Sequence, residues 1–273
     1  MAANPPRQAS MRRKLIGRRL RLRREQAGLP MRHERITAIV GSTRSLQRLE
    51  GGEASSLTYP IIGALCDLYK TPSEEKFELQ RLWELKEATT WTQPRGRSVF
   101  GYDAYQELEL QASEVQQYES TWVPGKLQTR RYARNIFTRN PNLDEESIEQ
   151  GVTNRLRDQS SFWEGTGERR YHFLLSEAVL RYGCDAEQLD RMVEADSLDH
   201  ATVRYLPFAG GPAPLLMLPF TLLSFPAEDD PDIVYVDAQN AFLYFEEVES
   251  VQHYRMSLDT TEGLTRSIKE LKR

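Results

Sequence analysis

Through the first ninety residues the apolar side chains recur at helical intervals, and beyond residue 170 they gather into short β-rich runs. This change of period constrains the chain more than any other feature. A uniform repeat architecture is excluded, and 273 residues are enough for two domains. In the first part, Ile16, Leu20 and Ala27 share a helical face that Gly28 ends, and Met31 to Ala38 make a short second helix before Gly41. Thr43 to Glu50 form a third, with Leu46 and Leu49 inward and Gly51-Gly52 as the stop. Leu57, Ile61, Leu65 and Leu68 make a further stripe. Thr71-Pro72-Ser73-Glu74 reads as N-cap, N1 proline and N3 glutamate of the helix carrying Leu79, Leu82 and Trp83.

The predicted fold class is an all-α N-terminal helix-turn-helix bundle followed by an α+β C-terminal domain with a mainly antiparallel sheet. Residues 1–10, with Pro5-Pro6 and no periodicity, are expected to be a mobile arm, and residues 11–90 the helical domain. Residues 91–101 lack an apolar pattern and contain Pro94-Arg95-Gly96-Arg97, so they read as a linker with the boundary near residue 95. In 102–273, Tyr105, Leu108, Ala112, Val115 and Tyr118 predict one helix, and Ile148, Val152 and Leu156 another. Strands are expected at Tyr171 to Leu175, Ala201 to Leu206, Leu215 to Leu223, Ile233 to Val236 and Phe242 to Phe245. Two helices close the chain, one through Val248, Val251, Tyr254 and Leu258, the other through Leu264, Ile268 and Leu271.

Charge divides the chain at the same place. Residues 1–50 hold 13 Lys and Arg against 3 Asp and Glu, a net +10, whereas the remainder carries −14. A basic head on an acidic body fits a first domain that meets a polyanion. The third helix carries the readers: Thr43, Arg44, Gln47 and Arg48 lie on its polar side, and Arg and Gln can make bidentate contacts to guanine and adenine edges. Ser42 can cap that helix and meet a phosphate. For Arg48 a second reading stands beside this one, pairing with Glu50 or another local acid. The run from Arg12 to Arg24, with Arg18 and Arg21, is abundant but not spaced to read bases, and is assigned to phosphates or a minor-groove arm.

Other classes are weaker. No stretch approaches the roughly 18 apolar residues of a membrane span, and Met1 to Ser10 lack a signal-peptide core, so a cytoplasmic protein is expected. Cys66 and Cys184 lie far apart, and His33, His172, His200 and His253 are scattered, so neither metal nor cofactor is expected. An enzyme or small-molecule sensor is the competing class. Its acid/base candidates are Glu177, His172 and Glu246-Glu247, but the adjacent pair points to opposite faces of a strand. Glu177 also reads as a helix cap or a partner of Arg134 or Arg157, and His172 as a satisfied histidine. No catalytic elbow, phosphate-binding glycine loop or metal set is present, and the chain is expected not to be an enzyme. Tyr118, Trp122, Pro124, Tyr132 and Trp163 could line an aromatic cavity or simply make the core.

Ile16-Gly17, Leu20-Arg21, Glu25 to Leu29, Leu46-Gln47-Arg48-Leu49-Glu50-Gly51-Gly52 and Ala64 to Tyr69 together resemble the xenobiotic-response-element (XRE) type of helix-turn-helix. Tyr118 to Thr129, Tyr132-Ala133-Arg134, Arg155 to Gln159, Ser176 to Arg181, Gln188-Leu189 and Val203 to Phe208 with Gly210 resemble the second domain of actinobacterial WhiJ-like, antitoxin-like regulators. That resemblance implies a transcriptional regulator whose second domain receives an effector or a small partner protein encoded nearby. On its motifs Gly125, Gln128, Arg134 and Glu177 join Tyr118, Trp122 and Pro124 as candidate partner-binding residues. Double-stranded DNA is the expected partner of the head. A homodimer follows from the pairing of half-sites one helical turn apart.

Overall fold

The apolar stripes of the head become five helices: α1 (Met11–Gln26), α2 (Glu34–Val40), α3 (Thr43–Glu50), α4 (Tyr59–Leu68) and α5 (Ser73–Glu84). The computed structural model describes residues 10–53, 56–85, 90–94, 101–165, 168–211, 213, 216, 218–227 and 230–271. After the head come β1 (Thr90–Pro94), α6 (Gly101–Glu109), β2 (Glu114–Glu119), α7 (Arg130–Thr138), α8 (Glu145–Trp163), β3 (Arg170–Ser176), α9 (Glu177–Arg181) and α10 (Ala186–Ala195). The chain continues through β4 (Ala201–Leu206), β5 (Phe220–Ser224), β6 (Ile233–Asp237), β7 (Ala241–Phe245), α11 (Val248–Glu262) and the two-residue β8 (Arg266–Ser267). The fold class is the one expected, helices first and then an α+β part holding an eight-stranded mixed sheet.

Two compact units divide the chain. One comprises residues 1–112 and 223–252, the other 113–222 and 253–273. The expected boundary near residue 95 falls inside the first, which also takes back a later stretch of chain. In this unit Leu15, Ile16, Leu20, Leu46, Leu49, Ile62, Leu65, Leu79 and Leu82 are buried, and Trp83 donates its indole N–H to Leu57 O at 2.9 Å. β7 lies between β1 and β6, antiparallel to both. Trp91 on β1 stacks on Tyr244 of β7, ring centroids 3.9 Å apart. In the second unit β3 lies between β2 and β4, parallel to both, and β8 runs antiparallel along β4. Phe162 of α8 meets Tyr171 and Phe173 of β3 edge-on.

Several local expectations are corrected. Met31 to Ala38 is replaced by a helix starting at Glu34, because Pro30 opens a turn closed by His33 N–H, and the His33 ring then accepts from Arg35 N–H at 3.2 Å. The single helix through Tyr105 and Tyr118 is a helix ending at Glu109 and then a strand. The six-residue parallel register of β2 with β3 overrides a 3,4,3,3 spacing that is also compatible with a helix. Part of the expected linker is β1, whose Trp91 is buried, while residues 95–100 lie outside the described residues. So do residues 1–9 of the expected arm. The last helix is replaced by β8 and one 3-10 turn, Ile268–Glu270, which Ser267 and Glu270 close as a capping box after α11 has ended before Gly263. The run at 215–223 yields β5 only from Phe220 onward, with residues 214, 215 and 217 outside the described set.

Candidate nucleic-acid interface

Between α2 and α3 stand only Gly41 and Ser42. Gly41 takes φ +84°, a conformation open mainly to glycine, and donates to Thr37 O at 2.8 Å as α2 ends. Ser42 is extended, and its Oγ accepts the Ser45 N–H at 3.1 Å, capping α3. Leu46 and Leu49 then face inward, which leaves Arg44, Gln47 and Arg48 exposed on one stripe with Thr43 half-buried beside it. Among the described residues neither Arg44 nor Gln47 takes a side-chain partner. Arg48 donates from Nε to Glu53 at 3.1 Å in a solvent-exposed pair. The local acid is therefore Glu53 rather than Glu50, and such a pair, worth about 0–1 kcal/mol, gives way readily to a stronger anion.

Glu50 is taken from the other side. Its buried carboxylate receives Arg24 Nε at 2.6 Å and a terminal nitrogen at 2.9 Å, with Arg21 Nε at 3.4 Å. That hydrogen bond raises the Arg24 guanidinium above its ordinary value, against the pull of burial. Arg24 also donates to Leu29 O at 3.0 Å, so one side chain ties α1, the following loop and the end of α3. Gly17 brings the same helices together, since a Cβ there would lie 2.4 Å from Leu49 O.

Most of the basic run on α1 is engaged inside the first unit, whereas the sequence assigned it to phosphates. Arg12 is buried, Lys14 pairs with Asp230, Arg19 with Glu107 at 2.7 Å, and Arg23 with Glu75. Arg18 and Arg21 remain exposed. Two further exposed cations, Arg32 and Arg35, flank the start of α2 and were not singled out. The inward facing of Ile36 and Val40 is the sequence signal that puts Arg35 outside.

The seven candidates of the second unit do not converge. Tyr118 is buried beside Phe220, and burial pushes its phenol up. Trp122 is exposed and Pro124 buried, ahead of a single 3-10 turn (Gly125–Leu127) rather than at the N1 position of a helix. Gly125 O accepts Gln159 Nε2 at 2.6 Å. Gln128 is buried, donating to Val123 O at 2.7 Å and accepting Arg155 at 2.9 Å. Arg134 pairs with Glu145 and Glu149. Glu177 accepts the Phe208 N–H at 2.7 Å and Arg181 at 2.7 Å, an arginine partner as expected, though neither Arg134 nor Arg157. Those two contacts, the backbone one first, hold its carboxyl below the usual range. None of the seven lines the cavity walled by Leu189, Val193, Ile268, Lys269 and Leu271.

His172 bridges Glu114 at 3.0 Å and Thr202 Oγ1 at 2.9 Å on the parallel strands. Burial pushes the Cys66 thiol up to about 11 and the Cys184 thiol to about 12. Among the described residues no cluster of His, Cys, Asp or Glu could hold a metal ion, and no helix is long and apolar enough to cross a membrane.

A capped helix presenting Arg44, Gln47 and Arg48 behind a tight turn defines a helix-turn-helix protein, and residues 15–79 match the family described as "Helix-turn-helix domain". This places the chain among DNA-binding regulators of that class. Over residues 102–270 it matches the family described as "Domain of unknown function (DUF5753)", and it belongs to that family. No curated protein matches. A solved structure described as "TrmBL2, an archaeal chromatin protein" is similar at 10% identity and a TM-score of 0.33, over 76% of this chain and 69% of that one.

Proposed function

We propose that the chain is a sequence-specific transcriptional regulator of the XRE type that reads double-stranded DNA with α3 in the major groove. The supporting observation is the exposed pair Arg44 and Gln47, which take no partner among the described residues and stand beside a helix start already capped by Ser42. A groove about 12 Å wide admits such a helix, and Arg and Gln fit guanine and adenine edges. Thr43 and Arg48 extend the reading stripe, Ser42 sets its N-terminus, and Arg18 and Arg21 with Arg32 and Arg35 supply phosphate contacts. In this reading the protein is a cytoplasmic homodimer, and its DUF5753 part is antitoxin-like, receiving a small partner protein or effector rather than performing catalysis. Glu177, the first acid/base candidate, is taken up by the Phe208 N–H and Arg181, a structural role that supports the non-catalytic reading.

Fluorescence anisotropy on the protein's own upstream DNA against a scrambled duplex, over a range of salt, tests the proposal. The expected result is a scramble penalty on the order of 10³ or more with a steep negative salt slope. Arg44→Ala is expected to cost about 1–3 kcal/mol at one operator position and to relax specificity there. Equal weakening on every sequence would make Arg44 a phosphate contact. Equal binding of wild-type protein to both duplexes would overturn specific recognition.

A further inference from the structure

The start of α1 is badly made as a local sequence. Ser10 provides no side-chain cap, the first turn holds no acid, and Arg12, Arg13 and Lys14 crowd the end of the helix where the macrodipole is already positive. What this end lacks comes from the far part of the chain. Glu246, just past β7 and only 7% exposed, accepts the Met11 N–H at 3.1 Å and the Arg12 N–H at 3.0 Å. The Trp91 indole N–H donates to the same carboxylate at 3.0 Å, and Trp91 is itself fixed by its stack on Tyr244. Lys14 meets Asp230 and Arg19 meets Glu107, so α1 is held along its length by acids that lie outside the helix-turn-helix match. All of these residues belong to the first compact unit.

We propose that Glu246 is a positioning residue for DNA reading, acting on α3 through α1. At its far end α1 grips α3 through Arg24 and Glu50, and between the ends Gly17 lies against the carbonyls of Leu49 and Glu50. A helix of 16 residues is a rod about 24 Å long, clamped by a carboxylate at each end. A rod so held sets where α3 presents Arg44 and Gln47. Residues 223–252, from the far part of the DUF5753 match, thus belong to the unit that holds α1 and α3.

This inference rests on the DNA-binding reading, and its test separates the two. Glu246→Gln keeps the size of the side chain but removes its charge, and Trp91→Phe removes one donor while leaving the carboxylate. Each full-length variant is compared with wild type on operator and scrambled duplex well below its melting temperature. Exchange of the Met11 and Arg12 amides is followed in parallel. Faster exchange is expected in both variants. Operator affinity of Glu246→Gln should fall about tenfold, equivalent to ~1.4 kcal/mol, with scrambled DNA little changed and Trp91→Phe in between. A stably folded Glu246→Gln with wild-type discrimination would overturn the proposal, as would unchanged amide exchange. If wild type itself does not discriminate, the DNA-reading function fails, and the exchange arm alone decides whether Glu246 clamps α1.

Discussion

Gly17 shows what a single residue contributes to the reading head. Alanine in a helix interior is ordinarily better than glycine by about 1 kcal/mol. Here its Cβ would stand 2.4 Å from Leu49 O and 2.8 Å from Glu50 O, and backbone cannot swing away as a side chain can. Overpacking of this kind costs about 1–3 kcal/mol, so Gly17→Ala is expected to lower the melting temperature despite the gain in propensity. A variant that melts at or above wild type would show that α1 and α3 approach less closely. Glu177 offers a second measurement at this scale. Its carboxyl is lowered by the Phe208 N–H and then by Arg181, so the stability it contributes is complete above the ordinary value of 4.5 and is lost as pH falls through the lowered value. The Phe208 amide resonance should therefore stay constant from neutral pH to about 5 and shift only in more acid solution. In Glu177→Gln that shift should vanish, and a wild-type titration near neutrality would contradict the assignment. Arg44, Gln47 and Arg48 were legible in the sequence because Leu46 and Leu49 fix which side of an eight-residue helix is outside. Glu246 was not legible, since nothing local marks a carboxylate as the cap of a helix 235 residues away.

Among the elements, those whose stops are written locally came through best. Gly41 and Gly51 bracket α3, and α8, expected from Ile148, Val152 and Leu156, starts on Asp144, which caps it. β2 was misread because its two buried apolar positions, Val115 and Tyr118, are three apart, the interval a helix also uses, and only its parallel neighbour decides between them. The candidate partner-binding residues between Tyr118 and Thr129 are a similar case. The resemblance made them partner-binding candidates, yet much of the polarity of this segment is consumed inside the fold. The 3-10 turn at Gly125–Leu127 is stapled by two glutamines, Gln159 donating to Gly125 O at 2.6 Å and the fully buried Gln188 donating to Leu127 O at 2.7 Å and accepting Thr129 N–H at 2.9 Å. Gln188→Ala should strand both backbone groups, costing about 1–3 kcal/mol for each. The thermal melt of the full chain is the measurement, and an unchanged midpoint would mean that the segment refolds around the loss.

At the scale of the whole molecule, family and structure divide the chain differently. The DUF5753 match runs unbroken from 102 to 270, whereas residues 223–252 belong with the helical head. Sequence patterning found the basic head and the switch from helices to strands, since both are properties of neighbouring residues. It could not find the return of the chain, which depends on contacts made across more than a hundred positions. That return sets a timetable for synthesis. Arg24 and Glu50 leave the ribosome early, but Glu246 follows Arg24 by about 220 residues, roughly 10–45 seconds of translation at ordinary rates. Throughout that interval the nascent first helix has the acids of Arg19, Arg23 and Arg24 beside it but neither the carboxylate that caps its start nor the partner of Lys14, so its two ends are fixed at different times.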